Sequence, residues 1–333
     1  MQGYAYLAHT ATPNAPASRQ VTCIGQESNA TRSYGPLQSV NAAALMRGFT
    51  PPSAVEEVME TIKTLVLDNG THATVGFVGA RYLYSALTLG GHRDVALKVA
   101  LQETLPSYGY QVTQGATTLW ENWSGVPDST NGEAAPSHNH HFLGAIGQWF
   151  YEALAGVQLQ PLEVGVGNST QLPSAGARAW GRFTVRPEIT DQQALSGMAV
   201  SLNTRRGLLR VAWANLTSLA RDCGEGRLLS EHADDADIIT CALLPRADGA
   251  SFILNATIPV NAAAELAIPC VGKDGGRIGI NGHTAWSAGA YVPGVAEGVI
   301  SGTLSTTSAH GCRVTFAVVS GSYAFSAMLD EGL

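Results

Sequence analysis

The hydrophobic residues of the first half of the chain recur every three or four positions, which is the repeat of an amphipathic helix. A capping box formed by Ser53 and Glu56 predicts where one helix starts, and Gly90-Gly91 predicts a tight link within a helical hairpin. The last of these segments, 138–156, is apolar on nearly all sides, which predicts a deeply buried helix. The predicted helices cover residues 37–47, 53–69, 77–89, 92–103 and 138–156.

After about residue 160 the period falls to two, and short β-branched runs alternate with Gly, Asp, Asn and Pro turns. Helices followed by a block of strands favour two separate domains, the second an all-β sandwich, over an interleaved α/β unit. We therefore expect an irregular N-terminal segment over 1–36, a helical domain over 37–159 and a β-sandwich domain over 160–333. The predicted strands are 182–186, 208–213, 251–258, 265–268 and 312–319.

Composition excludes several classes of protein. Hydrophobic residues make up 45% and charged residues 14% of the 333 residues, which is typical of a compact protein and not of a disordered chain or a coiled coil. The net charge is −7 and no basic run occurs, so we expect no nucleic-acid partner. The most apolar stretch, 142–159, contains Gln148, Glu152 and Gln158, so we expect no membrane partner.

Cysteines and asparagines indicate the compartment. Four of the five cysteines follow residue 220, where one or two disulfides could link a sheet. The sequons favour an extracellular or secretory location, with any signal peptide outside this sequence, although coincidental matches in a Thr-rich chain are the alternative. Six of the thirteen asparagines stand in Asn-x-Ser/Thr sequons: Asn29, Asn69, Asn122, Asn168, Asn215 and Asn255.

Segment 106–137 is rich in glycine and proline but also in aromatic residues, which suggests a functional loop. Within it Glu121 lies between Trp120 and Trp123. This arrangement suits a sugar, because aromatic rings stack on the C–H face of the sugar while the acid handles a proton or a water. The alternative is a surface glutamate in a turn that two tryptophans anchor. Three other acids could be partners of Glu121 or only solvated turn residues: Glu103, Asp128 and Glu133.

Three histidines, His138, His140 and His141, open the apolar segment that follows this loop. Hydrogen bonding to a neutral ligand, or packing at a helix start, is favoured over a zinc site, because the chain has no HExxH motif and no cysteine partner for one. We therefore expect no metal ion and no cofactor. The chain also has no GxSxG motif that would indicate a serine nucleophile.

The run 115–121, followed by Ser137-His138-Asn139-His140 and by 144–157, resembles the α-L-rhamnosidases of glycoside hydrolase family 78. The similarity covers about residues 37–330 and includes four further segments: 37–45 and 72–79 upstream, and 258–269 and 320–325 downstream.

The resemblance implies a partial (α/α)6-type helical barrel followed by a C-terminal β-sandwich, and inverting hydrolysis of terminal α-L-rhamnosides. It implies that Glu121 is the general base, that His140 and His138 contact the sugar, and that Trp120 and Trp123 wall the pocket. A glycan on Asn122 would block such a pocket, so we expect that sequon to be unused. A rhamnose-containing glycoside or polysaccharide is the implied partner.

The family's general acid comes from the first half of a twelve-helix barrel, which no segment before residue 37 resembles. Two hypotheses stay open. In the first, the chain is the C-terminal part of a rhamnosidase, completed by an N-terminal half or a complementing chain that supplies the acid. In the second, it is a non-catalytic carbohydrate-binding protein derived from this family. The exposed helix faces of a half barrel also predict self-association.

Overall fold

The computed structural model of the chain contains two compact units, residues 1–147 and 148–333. Among the residues that it describes, no helix is long and apolar enough to cross a membrane. Some residues singled out above lie outside the described part, namely Asp128, Glu133, Asn29, Asn168, Cys223 and Cys241. The described residues are 21–23, 32–34, 37–127, 135–159, 181–188, 195–217, 219–220, 250–271, 274–307 and 311–328.

The first unit is helical, and four of its helices coincide with predicted ones. They are α1 (Gln38–Met46), α2 (Val55–Asp68), α3 (Phe77–Leu89) and α4 (Arg93–Ala100). A short α5 (Tyr108–Thr113) lies in the segment predicted as loop. Within residues 1–36, which we expected to be irregular, β1 (Val21–Cys23) and β2 (Arg32–Tyr34) pair as an antiparallel ribbon.

The predicted capping box is wrong. Ser53 lies inside a 3₁₀ turn, Pro52–Ala54, and the residue that caps α2 is Ala54, which makes no side-chain capping bond. Proline at the first position of that turn fixes its backbone in a helical conformation. Ser53 therefore lacks the extended backbone that an N-cap serine needs.

The single buried helix predicted over 138–156 is also wrong in its form. The chain makes a 3₁₀ helix at His141–Ala145, one turn of α6 at Ile146–Trp149 and a π-helix at Phe150–Leu154. Leu143 and Trp149 are buried as expected, but Phe142 is 46% exposed. Apolar residues on all sides indicate burial on all sides only when neighbours cover each face, and sequence does not show where those neighbours are.

One buried side chain ties α1 to the segment that leads into α3. Gln38 is 2% exposed, and its amide nitrogen Nε2 donates to the carbonyl oxygens of Leu65 at 3.2 Å and His72 at 3.0 Å. Its amide oxygen accepts the backbone N–H of Thr74 at 2.9 Å. These bonds fix the backbone at His72 and Thr74. The next residue, Val75, accepts a hydrogen bond from the candidate site through its carbonyl oxygen.

The second unit contains a ten-stranded sheet. The strands are β3 (Val157–Leu159), β4 (Arg182–Val185), β5 (Gly197–Thr204), β6 (Gly207–Asn215), β7 (Phe252–Pro269), β8 (Arg277–Ile280), β9 (His283–Ser287), β10 (Ala290–Tyr291), β11 (Val299–Thr307) and β12 (Gly311–Met328). Two long antiparallel strands, β7 and β12, form the centre of the sheet. Strand β7 also pairs with β6 and, in parallel, with β4, whereas β12 also pairs with β8 and β11.

Both ends of the long strands contribute to one core. Phe183 and Leu266 from one end and Trp213 and Leu254 from the other belong to the same buried cluster, as the two layers of a sandwich do. The two strands predicted over 251–258 and 265–268 are one strand, which has a left-handed residue, Asn261, at its middle.

A disulfide between Cys270 and Cys312 joins the end of β7 to the start of β12. Their Cα atoms are 5.4 Å apart, and the backbone N–H of Cys270 donates to the carbonyl oxygen of Cys312. The expectation of a disulfide that links the sheet is therefore confirmed for this pair.

Candidate active site

Two segments far apart in sequence lie side by side in the helical unit. The backbone N–H of Glu121 donates to the carbonyl oxygen of Ser137, and that of His140 donates to the carbonyl oxygen of Leu119, each at 2.8 Å. The hydroxyl of Thr118 also donates to the carbonyl oxygen of His138. The structure thus brings the Trp–Glu loop and the histidine segment, which we singled out separately, into one site.

The carboxylate of Glu121 is half-buried and tied at one oxygen only. Its Oε2 accepts the backbone N–H of Ser137 at 2.8 Å. Within the described part of the chain, Oε1 has no hydrogen-bond partner and is not buried. The side chain is therefore held in place while one oxygen stays open to a water or a ligand.

Trp120 is largely enclosed. It is 8% exposed, and its ring stacks on the imidazole of His138 with centroids 4.6 Å apart and planes inclined by 17°. The imidazole Nε2 donates to the carbonyl oxygen of Gly125 at 2.7 Å. Gly125 has a left-handed φ of +69° and packs on the six-membered ring of Trp120, where a Cβ would collide. The Trp120 ring and the Nε2 of His138 therefore hold the loop in place.

Trp123 is anchored rather than presented. Its indole Nε1 donates to the carbonyl oxygen of Val75 at 2.6 Å, and its ring meets the edge of Tyr108 with centroids 4.9 Å apart. The hydroxyl of Tyr108 donates to the carbonyl oxygen of Leu143 at 2.6 Å. Burial raises the pKa of the Tyr108 phenol well above its usual range. The second tryptophan thus links the loop to the segment before α3.

His140 lies in a cluster of aromatic rings. Its ring centroid is 5.4 Å from that of Phe77 and 5.0 Å from that of Phe142, and the two phenylalanines stack on each other at 5.1 Å. His141 is exposed and packs against Phe142 at 4.4 Å. Our sequence analysis did not include Phe77 or Phe142 among the site residues. The sequence signals were that Phe77 starts the predicted helix 77–89 and that Phe142 directly follows the histidines.

The side chain of Asn122 closes a turn. Its Oδ1 accepts the backbone N–H of Gly125 at 2.8 Å, and its Nδ2 donates to the carbonyl oxygen of Val126 at 3.1 Å. Nδ2 is the atom to which an N-linked glycan is attached, so both functions compete for it.

No metal ligand set is found among the described residues. These residues contain no group of three or more His, Cys, Asp or Glu side chains that could hold a metal ion. Glu103 is exposed, and the other two acids considered in the sequence, Asp128 and Glu133, lie outside the described residues. The general acid is therefore not identified.

Comparison with protein families supports the resemblance drawn from these motifs. Residues 20–154 match the model of the bacterial alpha-L-rhamnosidase six-hairpin glycosidase domain. The chain is 34% identical over 127 residues to an alpha-L-rhamnosidase of Streptomyces avermitilis, and 33% identical over 125 residues to one of Alteromonas sp.. Each alignment covers 37% of this chain but only 12% and 14% of the relatives. The chain thus matches a small part of their length.

Solved structures show the same fold. The alpha-L-rhamnosidase of Dictyoglumus thermophilum superposes with a TM-score of 0.60 and 23% identity, over 88% of this chain and 25% of that one. The Streptomyces avermitilis alpha-L-rhamnosidase complexed with L-rhamnose gives a TM-score of 0.58 and 23% identity, over 87% and 21%. Both support the predicted fold class, a six-hairpin helical part followed by a sheet-rich part.

Proposed function

Because residues 20–154 belong to the six-hairpin glycosidase domain of the bacterial α-L-rhamnosidases, we propose that this chain carries the water-activating side of an inverting α-L-rhamnosidase site. Its substrate is a terminal α-L-rhamnoside in a glycoside or polysaccharide, and Glu121 is the general base. The observation that carries this proposal is the Glu121 carboxylate, held by Ser137 at one oxygen and open at the other.

The chemistry needs such an arrangement. In an inverting reaction, the base removes a proton from water as the water oxygen bonds to the anomeric carbon, while a separate acid protonates the departing glycosidic oxygen. A base with both oxygens engaged by the protein would be less basic and less accessible to that water. In Glu121 the Ser137 N–H fixes the carboxylate, and Oε1 is left to take the proton.

The neighbouring side chains fit sugar binding in different ways. The backbone N–H of His140 donates to Leu119 in the Glu121 loop. A ring nitrogen of His140 can therefore bind a rhamnose hydroxyl. Trp120 and Trp123 border the same loop, but the Trp120 ring is buried and the Trp123 indole N–H is bonded within the protein. His138 is exposed and uses only Nε2 within the protein, so its other ring nitrogen can also contact the sugar. We therefore assign hydroxyl recognition to His140 and His138.

A second function is kept because the general acid that would act with Glu121 is not identified in the part of the chain that the structure describes. One carboxylate cannot protonate the leaving group and activate the opposing water in the same inverting step. Without a complementing chain that supplies the acid, this protein is a carbohydrate-binding module. The exposed apolar residues Val78 (65%) and Val112 (70%) provide surface for such a chain or for self-association.

A secretory location belongs to the same proposal. Among the sequons, Asn255 is exposed, so its side chain can receive a glycan. The disulfide Cys270–Cys312 also fits an oxidising compartment.

The test is hydrolysis of an aryl α-L-rhamnoside by the full 333-residue chain, together with calorimetric titration by rhamnose. We expect Glu121→Gln to lower any turnover by at least about 100-fold while rhamnose binding is retained, because the amide keeps the size but not the basicity of the carboxylate. Glu103→Gln is the matched control and should keep full turnover. Normal turnover in Glu121→Gln would overturn the assignment of the base.

Two other outcomes separate the two functions. Binding of rhamnose without turnover supports the carbohydrate-binding protein, and neither binding nor turnover indicates that a complementing half is needed. His140→Ala should weaken the binding of rhamnose more than that of glucose, because hydroxyl-directed hydrogen bonds confer selectivity. Equal loss for both sugars would indicate a folding defect.

A further inference from the structure

The two ring nitrogens of His140 have different surroundings. Nδ1 is buried and has no hydrogen-bond partner among the described residues. Nε2 is also without a partner there, but it is not buried. The ring is therefore turned so that Nδ1 is enclosed by the protein, whereas Nε2 keeps contact with solvent.

This asymmetry decides where the proton of the neutral ring resides. A buried N–H with no acceptor costs about 1–3 kcal/mol, and orphaned buried N–H groups are rarer in proteins than under-satisfied acceptors. A lone pair at the buried Nδ1 is therefore less costly than a proton there. The neutral ring consequently carries its proton at Nε2, which makes it a hydrogen-bond donor toward solvent.

Aromatic rings hold the imidazole in this orientation. Phe77 and Phe142 both pack against it at an angle, with interplanar angles of 52° and 51°. The two phenylalanines stack on each other with planes inclined by 16°, so they act as one rigid support. The backbone N–H of His140 is fixed separately by the carbonyl oxygen of Leu119. The ring position thus depends on Phe77 and Phe142, neither of which is next to Glu121 in sequence.

We propose that Phe77 and Phe142 are positioning residues that turn His140 so that Nε2–H, and not Nδ1–H, is the donor offered to a ligand hydroxyl. The ligand part of this inference rests on the proposed function. The orientation of the ring and its tautomer are properties of the unliganded chain and can be measured alone.

The first measurement is the ¹⁵N NMR spectrum of the histidine rings in the unliganded full chain at about pH 8, above the ordinary pKa of imidazole. The His140 signals are assigned by their loss in His140→Gln. We expect Nδ1 of His140 to resonate as an unprotonated nitrogen and Nε2 as a protonated one. His283, which is exposed and lies on β9 outside the ring cluster, is the internal control and should show exchange-averaged signals. A protonated Nδ1 in His140 would overturn the proposal.

The second measurement uses Phe77→Leu and Phe142→Leu, with Phe49→Leu, a phenylalanine outside the ring cluster, as the matched control. Circular dichroism checks that each variant keeps its helices. In the two site variants we expect the His140 nitrogens to move toward averaged values and rhamnose binding to weaken about 3- to 10-fold, the equivalent of one weakened neutral hydrogen bond. Unchanged His140 signals in both folded variants would show that these rings do not position it.

The two proposals fail separately. If Glu121→Gln keeps normal turnover, the proposed role of Glu121 fails, while the tautomer of His140 and its response to Phe77→Leu still decide the positioning role. If rhamnose binds but the tautomer is the opposite one, the positioning role fails and the sugar site stands.

Discussion

Replacing Gly125 with alanine should loosen the Glu121 loop. Gly125 has φ +69°, a left-handed value that costs an alanine about 1–2 kcal/mol. The added Cβ would also collide with Cε3 and Cζ3 of Trp120 and lie 3.1 Å from its Cη2. Overpacking of this kind costs about 1–3 kcal/mol, so we expect a total loss of about 2–5 kcal/mol in the local stability of this loop.

The matched control is Gly115→Ala. Gly115 also has a left-handed φ, +81°, but its Cβ would meet no atom within 4 Å, so only the backbone cost of about 1–2 kcal/mol applies. Hydrogen exchange of peptides covering 115–127 measures the opening free energy of this loop directly. Gly125→Ala should raise exchange more than Gly115→Ala and should also weaken rhamnose binding, because the Gly125 carbonyl holds His138. Equal effects of the two substitutions would refute the packing argument.

Three further predictions concern the disulfide, the buried phenol and the sequons. Cys312→Ser removes the bridge to Cys270, 42 residues away, and should lower stability by about 4 kcal/mol in denaturant unfolding; no difference from the oxidised chain would contradict this. Burial raises the pKa of the Tyr108 phenol, so this group stabilises the fold below about pH 10 and its contribution is lost at higher pH. The free energy of unfolding of Tyr108→Phe should therefore fall less at alkaline pH than that of the native chain. In a glycosylating host, mass spectrometry should find Asn255 occupied and Asn122 empty; a glycan on Asn122 would show that its turn opens.

The helices could be predicted where local signals agree. Glycines near residues 48, 70 and 90 end three helices, and the apolar repeat between them fixes their faces. Segment 138–156 defeated the same reasoning, because its periodicity cannot distinguish α, 3₁₀ and π turns. In the sheet, β5, β9 and β11 were missed because at least half of their residues are Gly, Ser, Thr or Ala, which resembles turns, whereas β8 and β10 are too short to show a period.

For the site, the residue types were predictable and their surroundings were not. Glu121 between two tryptophans is visible in the sequence, and so is the histidine group after it. The stacking of His138 on Trp120 depends on backbone hydrogen bonds between residues 16 and 21 positions apart and on a left-handed Gly125. Whether a tryptophan faces a ligand or the protein is decided by such long-range contacts, which no local pattern records.

These contacts divide the site into a frame and a reacting surface. Trp120 and Trp123 are held by contacts within the protein, whereas Glu121, His138 and His140 each keep one polar atom without a partner among the described residues. Substitution of a frame residue should therefore change the exchange rate of the loop together with sugar affinity. Glu121→Gln should change turnover while the exchange rate stays constant, because the amide oxygen can still accept the Ser137 N–H. The difference follows from geometry alone, since an open oxygen or nitrogen contributes nothing to the fold until a ligand or a water binds to it.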